Sequence, residues 1–349
     1  MNSPDLPPPT LRLQLDSDAL ADNWRALNEL SGSARAGAAV KANAYGLGVD
    51  KVVPILRKAG ATDFFVAHWS EVPAVLRHTA PESVAVLHGP IRSDDAQFAR
   101  AAGVRPVINS LHQARLWIES GGGPCDLMVD TGINRLGLPL GAISDPLVAQ
   151  LEVNALLSHL ASADEDVAQN DRQLAAFEEA ARHIPAKMRS LSNSAGIALG
   201  KNFAFDLTRP GIALYGGVPR PELASVIRQV AHPQAAVLQV RDLTVGDSVG
   251  YNATFTASEP MRVATVSLGY ADGFLRCWSG RGSLRFRGAE LPLIGRVSMD
   301  MVVVDCRTAP NICEGDWLDV PYSLPEASAI TGLSQYELLT TLGRRYLRE

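Results

Sequence analysis

Over the first two-thirds of this 349-residue chain, short apolar runs alternate with segments of helical periodicity, and that alternation constrains the fold more than any other feature. The candidate strands lie at 38–41, 64–67, 84–87, 106–108, 127–130, 155–159 and 212–215, with a more polar one, Arg189-Ser190-Leu191-Ser192, at 189–192. Between them, 16–30, 50–58, 71–77, 94–102, 111–119 and 170–183 space apolar residues three and four apart, as a helix with one buried face does. Strands that alternate with helices pair in parallel, because a parallel neighbour needs a crossover connection. Eight such units predict an α/β fold, a TIM-like (β/α)8 barrel. A doubly wound open sheet is the alternative. It would carry a Gly-rich phosphate loop directly after one strand, and no G-x-G-x-x-G is present.

The pattern changes near residue 220, where Pro219 and Pro221 interrupt the chain. Alternating or β-branched runs follow at 235–240, 262–268, 283–286 and 301–304. Turn signals separate them, among them Val245-Gly246-Asp247, Ala271-Asp272-Gly273 and Glu314-Gly315-Asp316. We therefore expect a barrel over 10–222 and a mainly antiparallel β domain over 223–349, with a short helix at 335–342. The extreme N-terminal segment is a candidate to pack on the second domain.

Composition removes several function classes. Apolar residues make up 46% of the chain and charged residues 20%, a globular and not a disordered balance. Acidic residues outnumber Lys and Arg by 37 to 32, so no basic excess invites nucleic acid. No run of about 18 apolar residues exists to span a membrane. The first nine residues hold neither Lys nor Arg nor an apolar stretch, so no signal peptide is expected. Cys125, Cys277, Cys306 and Cys313 form no C-x-x-C pair, which predicts free thiols and neither a metal site nor a disulfide framework. A soluble cytoplasmic enzyme is the expectation.

Lys41 ends the first apolar run, in Val40-Lys41-Ala42-Asn43-Ala44-Tyr45-Gly46-Leu47-Gly48. A lysine there is usually a strand-end charge reaching water. The small residues and two glycines after it argue for a tight loop that a ligand can approach. In a barrel, polar residues at the C-terminal strand ends point into the catalytic mouth, and a desolvated lysine can form a Schiff base. Asp130-Thr131-Gly132-Ile133-Asn134-Arg135, His159, Ser192-Asn193-Ser194 and Arg209-Pro210-Gly211-Ile212 fall at the same mouth. Barrel phosphate sites use the loops around strands seven and eight, where Ser194 offers a hydroxyl and Gly211 and Ile212 offer backbone N–H groups. A mouth lysine beside a phosphate site implies a phosphorylated aldehyde cofactor, pyridoxal 5′-phosphate.

The lysine segment closely resembles the cofactor-attachment motif of alanine racemases. The resemblance runs nearly end to end, through the Arg135 segment, Arg209-Pro210-Gly211-Ile212, Val249-Gly250-Tyr251, Gly269-Tyr270-Ala271-Asp272-Gly273, Val297-Ser298-Met299-Asp300 and Gln335-Tyr336-Glu337. It implies that Lys41 holds the cofactor covalently and serves as one base, and that Tyr251, from the other subunit of a homodimer, serves as the second. Two bases on opposite faces of Cα fit racemisation, each contributing about 10²–10⁴-fold. A tyrosine starts near pKa 10, so Tyr251 needs nearby positive charge or a hydrogen bond, which the resemblance assigns to His159 and Arg209. It further implies that Arg209 faces the pyridine nitrogen and keeps it unprotonated, which disfavours transamination. His159 is implied beside the ring. Tyr45, Ser194, Gly211, Ile212 and Tyr336 would form the phosphate shell, and Arg135 and Met299 would bind the substrate carboxylate. Asp164, Tyr270, Arg276 and Arg296 resemble an entry corridor.

One departure stands out. Many family members carry a lysine seven positions before the arginine, carbamylated to orient it; here that position is Met128. Asn134, a bound anion or another side chain must orient Arg135 instead. Asn134 also stands where glycine is frequent. The resemblance implies racemisation of alanine, supplying D-alanine for peptidoglycan. The rivals are a broad-specificity amino-acid racemase of the same fold, a barrel decarboxylase with the same cofactor, and a non-catalytic cofactor carrier.

Overall fold

The computed structural model describes residues 7–348; residues 1–6, part of the nine-residue start in which no signal peptide is expected, lie outside the described residues. Two compact units emerge, one over Ser17–Arg228 and one that joins the chain from Gln229 onward to the N-terminal strand.

In the first unit, parallel strands run in the order Met188–Ser190, Glu152–Leu157, Pro124–Asp130, Arg105–Ile108, Val84–Val86, Phe64–Val66 and Ala38–Ala39. The last of these changes partners at Gly37. Arg35–Ala36 pairs in parallel with Leu207–Thr208, whereas Ala38–Ala39 pairs with Phe64 and Phe65. A Cβ on Gly37 would stand 2.9 Å from the Phe65 ring and 3.0 Å from the Asp63 carbonyl, so only glycine fits the changeover. The Asp206 N–H donates to the Arg189 carbonyl and the Arg209 N–H to that of Ser192, which closes the ring. The result is the eight-stranded (β/α)8 barrel. Helices lie between strands as the periodicity predicts: Ser17–Leu30 buries Ala19, Leu20, Asn23, Trp24 and Leu27 on one face.

Two expectations need correcting. The run 212–215 is not the eighth strand but a 3-10 turn, Ile212–Tyr215, and the strand is Leu207–Thr208. All four residues of that turn are buried, so an apolar run there says nothing of conformation. The boundary also moves from 10–222 to 17–228. Leu11–Leu15 pairs antiparallel with Ala231–Leu243, Leu11 opposite Ala235, because its alternating Leu11 and Leu13 bury on that sheet.

In the second unit, Ala231–Leu243 pairs with Trp317–Asp319 through its first half and with Met261–Val266 beyond the bulge at Val237. Val302–Asp305, Ala289–Ile294 and Ser283–Phe286 complete a closed antiparallel ring. Helices Leu324–Thr331 and Gln335–Thr340 follow it.

Candidate active site

Lys41 emerges half-buried at the C-terminal end of the first barrel strand. The next four residues, Ala42, Asn43, Ala44 and Tyr45, have φ between 53° and 55°, one turn of left-handed helix. That conformation costs about 1–2 kcal/mol per L-residue, so it persists only where neighbours over-determine it. The Ala44 N–H donates to the Val40 carbonyl, the Gly46 N–H to Ala42, and the Val49 N–H to Asn43 Oδ1. Lys41 is thereby fixed at the mouth. Burial lowers its amine's pKa, and the Arg135 and Arg209 guanidiniums lower it further against a raising effect of Glu71.

A cradle of small groups lies beside this turn. Ser194 Oγ accepts from the backbone N–H of Gly211 at 2.8 Å and of Ala213 at 3.2 Å. A Cβ on Gly211 would stand 2.2 Å from the Tyr45 hydroxyl oxygen, so residue 211 has to be glycine. Tyr45 packs on Tyr215, whose hydroxyl donates to the Ala39 carbonyl. Tyr45, Ser194 and Ile212 are all buried.

Arg209 is buried at the centre of the mouth, donating through Nη1 to the Ser190 carbonyl and hydroxyl and through Nη2 to the Ser158 carbonyl. Burial lowers its pKa to about 10, which leaves it a cation at neutral pH; the buried Asp126 carboxylate acts in the opposite sense. His159 lies within the electrostatic reach of Arg209, Arg135 and Lys41. Burial first, and those cations after it, lower its pKa to about 3. His159 is therefore neutral, so of the two contributions expected of it and Arg209, positive charge or a hydrogen bond, the hydrogen bond is the one open to His159.

Met128 is buried in its strand, and the loop that follows it toward Arg135 is held through its backbone. Asp130 Oδ1 accepts from three successive backbone N–H groups, Gly132 at 2.9 Å, Ile133 at 3.0 Å and Asn134 at 3.2 Å. Asn134 takes the left-handed conformation, φ 54°, that a glycine would adopt freely. Asp130 thus fixes the backbone that carries Arg135, a role the sequence reading missed although Asp130-Thr131-Gly132 has the form of an Asx turn. Arg135 itself is exposed.

Tyr251, Met299 and Tyr336 belong to the second unit. Tyr251 opens a 3-10 turn after Gly250 and is 70% exposed. Met299 and Tyr336 are exposed as well. The Met299 carbonyl accepts from the Ala271 N–H at 3.0 Å, and a Cβ on Gly269 would lie 2.2 Å from that oxygen. Arg345, absent from the sequence reading, clamps these two segments. It forms a bidentate pair with buried Asp272, at 2.7 and 2.9 Å, and reaches Asp300 at 2.7 Å. Arg276 lies 5.5 Å from the Tyr270 ring centre, a cation–π contact, and Arg296 is exposed. Asp164, in the barrel unit, is exposed.

Known proteins are similar to this chain in sequence and fold. The family model for the alanine racemase N-terminal domain matches residues 15–219, and that for the C-terminal domain residues 230–349. An alanine racemase of Methylobacterium nodulans is 41% identical, covering 97% of this chain and 95% of its own. A biosynthetic alanine racemase of Agrobacterium fabrum is 41% identical over 97% of this chain and 93% of its own. The crystal structure of a Bartonella henselae alanine racemase with covalently bound pyridoxal phosphate aligns with a TM-score of 0.89 at 36% identity, over 97% of this chain and 99% of that one. By both domain matches and by full-length relatedness, the chain belongs to the alanine racemase family of pyridoxal-phosphate-dependent enzymes.

Proposed function

We propose that this protein interconverts L- and D-alanine in the cytoplasm as a homodimer, supplying D-alanine for peptidoglycan. The observation that carries the reading is the Lys41 amine, made easier to deprotonate by burial and two guanidiniums at the barrel mouth. The residues present fit pyridoxal 5′-phosphate. Glycine at 211 leaves open the space beside Tyr45 that a side chain would fill, and the Gly211 and Ala213 N–H groups converge on Ser194. When bound, the cofactor's ring withdraws electrons from the substrate Cα and so acidifies its proton.

The chain's own groups supply the rest. Lys41 holds the cofactor and moves a proton at one face of Cα. Tyr251 of the partner subunit moves it at the other face, and its exposure in its own unit supports that assignment. Arg135 and the Met299 backbone N–H bind the substrate carboxylate. Tyr45, Ser194, Gly211, Ile212 and Tyr336 hold the phosphate. Arg209 would face the ring nitrogen; held by two backbone carbonyls, its guanidinium keeps its proton and so would leave that nitrogen unprotonated. His159 packs beside the ring as a neutral imidazole.

Purified protein should be yellow and should interconvert the two alanine enantiomers. Lysine, arginine and serine assayed beside alanine decide the substrate range, since a methylene or two of pocket volume is worth only about 1–3 kcal/mol. Comparable turnover of a basic amino acid would replace strict alanine use by broad specificity, and release of CO2 would replace racemisation by decarboxylation.

A further inference from the structure

Neither the motifs nor the reading above assigns a role to Glu71, yet its two carboxylate oxygens span the base of the Lys41 turn. Oε1 accepts from the N–H of Ala42, the residue directly after the lysine. Oε2 accepts from the N–H of Ala67 at 2.7 Å and of His68 at 3.1 Å, at the end of the neighbouring barrel strand. Inside a turn with i to i−4 bonding, the first N–H groups find no partner of their own. Ala42 carries such an orphan donor, and Glu71 satisfies it from the next strand. The bonds within the turn hold Ala44 and Gly46; the Val40 N–H donates to the Phe65 carbonyl just before the lysine, and the Glu71 carboxylate ties the peptide just after it to the barrel wall.

We propose that Glu71 is the positioning residue for Lys41: it locks the left-handed turn at the peptide following the lysine and is the carboxylate set against the mouth's cations. The charged and titratable groups around Lys41 are Arg135, Arg209, His88, His159 and Glu71. Arg135 and Arg209 lower the amine's pKa and Glu71 raises it. His88, stacked edge-on against His68 at 4.2 Å, is itself pushed toward the neutral form by burial, by His68 and by Lys41. Glu71 therefore acts on Lys41 twice, through the backbone and through the field. It is placed to set how readily the amine captures an aldehyde, so the assignment rests on the cofactor reading above.

The test titrates the Lys41 amine in the full-length, cofactor-free protein by the pH dependence of its reaction with an amine-selective acylating reagent, with Lys41→Ala as the blank. Glu71→Gln removes the charge and one acceptor oxygen at constant size. Its Lys41 midpoint should fall, and pyridoxal phosphate should bind roughly tenfold more weakly, the scale of one hydrogen bond to a charged acceptor. Glu71→Asp keeps the charge but falls one methylene short of Ala42. It should restore the midpoint without restoring the affinity, a separation that general loss of folding would not produce. Independently, the Ala42 amide of the wild-type protein should exchange slowly with deuterated water. An unchanged midpoint and affinity in Glu71→Gln, or an Ala42 amide that exchanges as fast as an open loop, overturns the assignment. Should the wild-type protein fail to bind pyridoxal phosphate while the Glu71→Gln midpoint still falls, the cofactor reading fails and the positioning role stands.

Discussion

The barrel and the β unit hold their functional candidates in opposite ways. In the barrel, Tyr45, Ser194, Arg209 and Ile212 are buried, and the fixing bonds involve the side chains themselves: Arg209 on two carbonyls, Ser194 under two N–H groups. In the β unit, Tyr251, Met299 and Tyr336 are exposed, and what is fixed is the backbone beneath them. A cofactor shell gains from groups that need no reorganisation when the ligand arrives. An exposed aromatic on a rigid turn is instead what a surface offers to something that covers it. The contrast predicts that barrel substitutions act on cofactor capture, and β-unit substitutions on one step or one face of the chemistry.

Lys41→Ala should produce the largest effect, loss of the yellow colour and of turnover in both directions, beyond the about 10⁴-fold that one general base supplies. Retained colour with lost turnover would show that another group attaches the cofactor. Tyr251→Phe comes next. It should keep the colour and lose about 10²–10⁴-fold in abstraction from L-alanine, while Cα deuterium exchange on D-alanine continues. Equal losses from both enantiomers would break the assignment of one base to each face.

Arg345→Met probes the backbone support of the β unit. The Asp272 carboxylate it leaves behind is fully buried, and breaking a buried pair costs about 3–5 kcal/mol; half-exposure of Arg345 reduces that to about 2 kcal/mol. Denaturant unfolding reads the loss. If the clamp also orients Met299 for the substrate, KM for alanine rises more than kcat falls. A stability loss with unchanged KM would confine Arg345 to holding the fold.

Much of this was legible in the sequence, for physical reasons that also mark where legibility ended. Six of the eight barrel strands declared themselves because a strand buried on both faces reads as a short apolar run between helical periods, and a seventh, Met188–Ser190, by its place in the alternation. The eighth did not, since Leu207–Thr208 is two residues long and followed by the buried arginine, while the more apolar 212–215 beside it forms a turn. Lys41, Ser194 and Arg209 were readable because their types and order carry chemistry. Glu71, Asp130 and Arg345 were not, because each acts through backbone groups or a distant partner: Asp272 lies 73 residues from Arg345, and Glu71 lies 29 from Ala42. Supporting residues are visible only once the fold has brought their partners to them.

His159 gives the smallest effect and the sharpest test of the barrel's electrostatics. Its folded-state pKa of about 3 lies below the ordinary value of 6.5, through burial and the cations beside it. Between those two values the unfolded chain binds a proton at this residue and the folded protein does not. Stability must therefore rise with pH across that window and fall as the pH drops through 6.5 toward 3. The contribution is fully present above pH 6.5, where both states are neutral. His159→Gln cannot titrate, so its loss of stability between pH 6.5 and 4.5 should be shallower than that of the wild-type protein, read as the unfolding free energy at each pH. A pH–rate profile should change little in shape, because a neutral imidazole contributes no ionisation near pH 7. If the variant lost stability on acidification as steeply as the wild type, His159 would be charged in the folded barrel. The imidazolium would then stand beside Arg209, Arg135 and Lys41, the groups that lower its pKa.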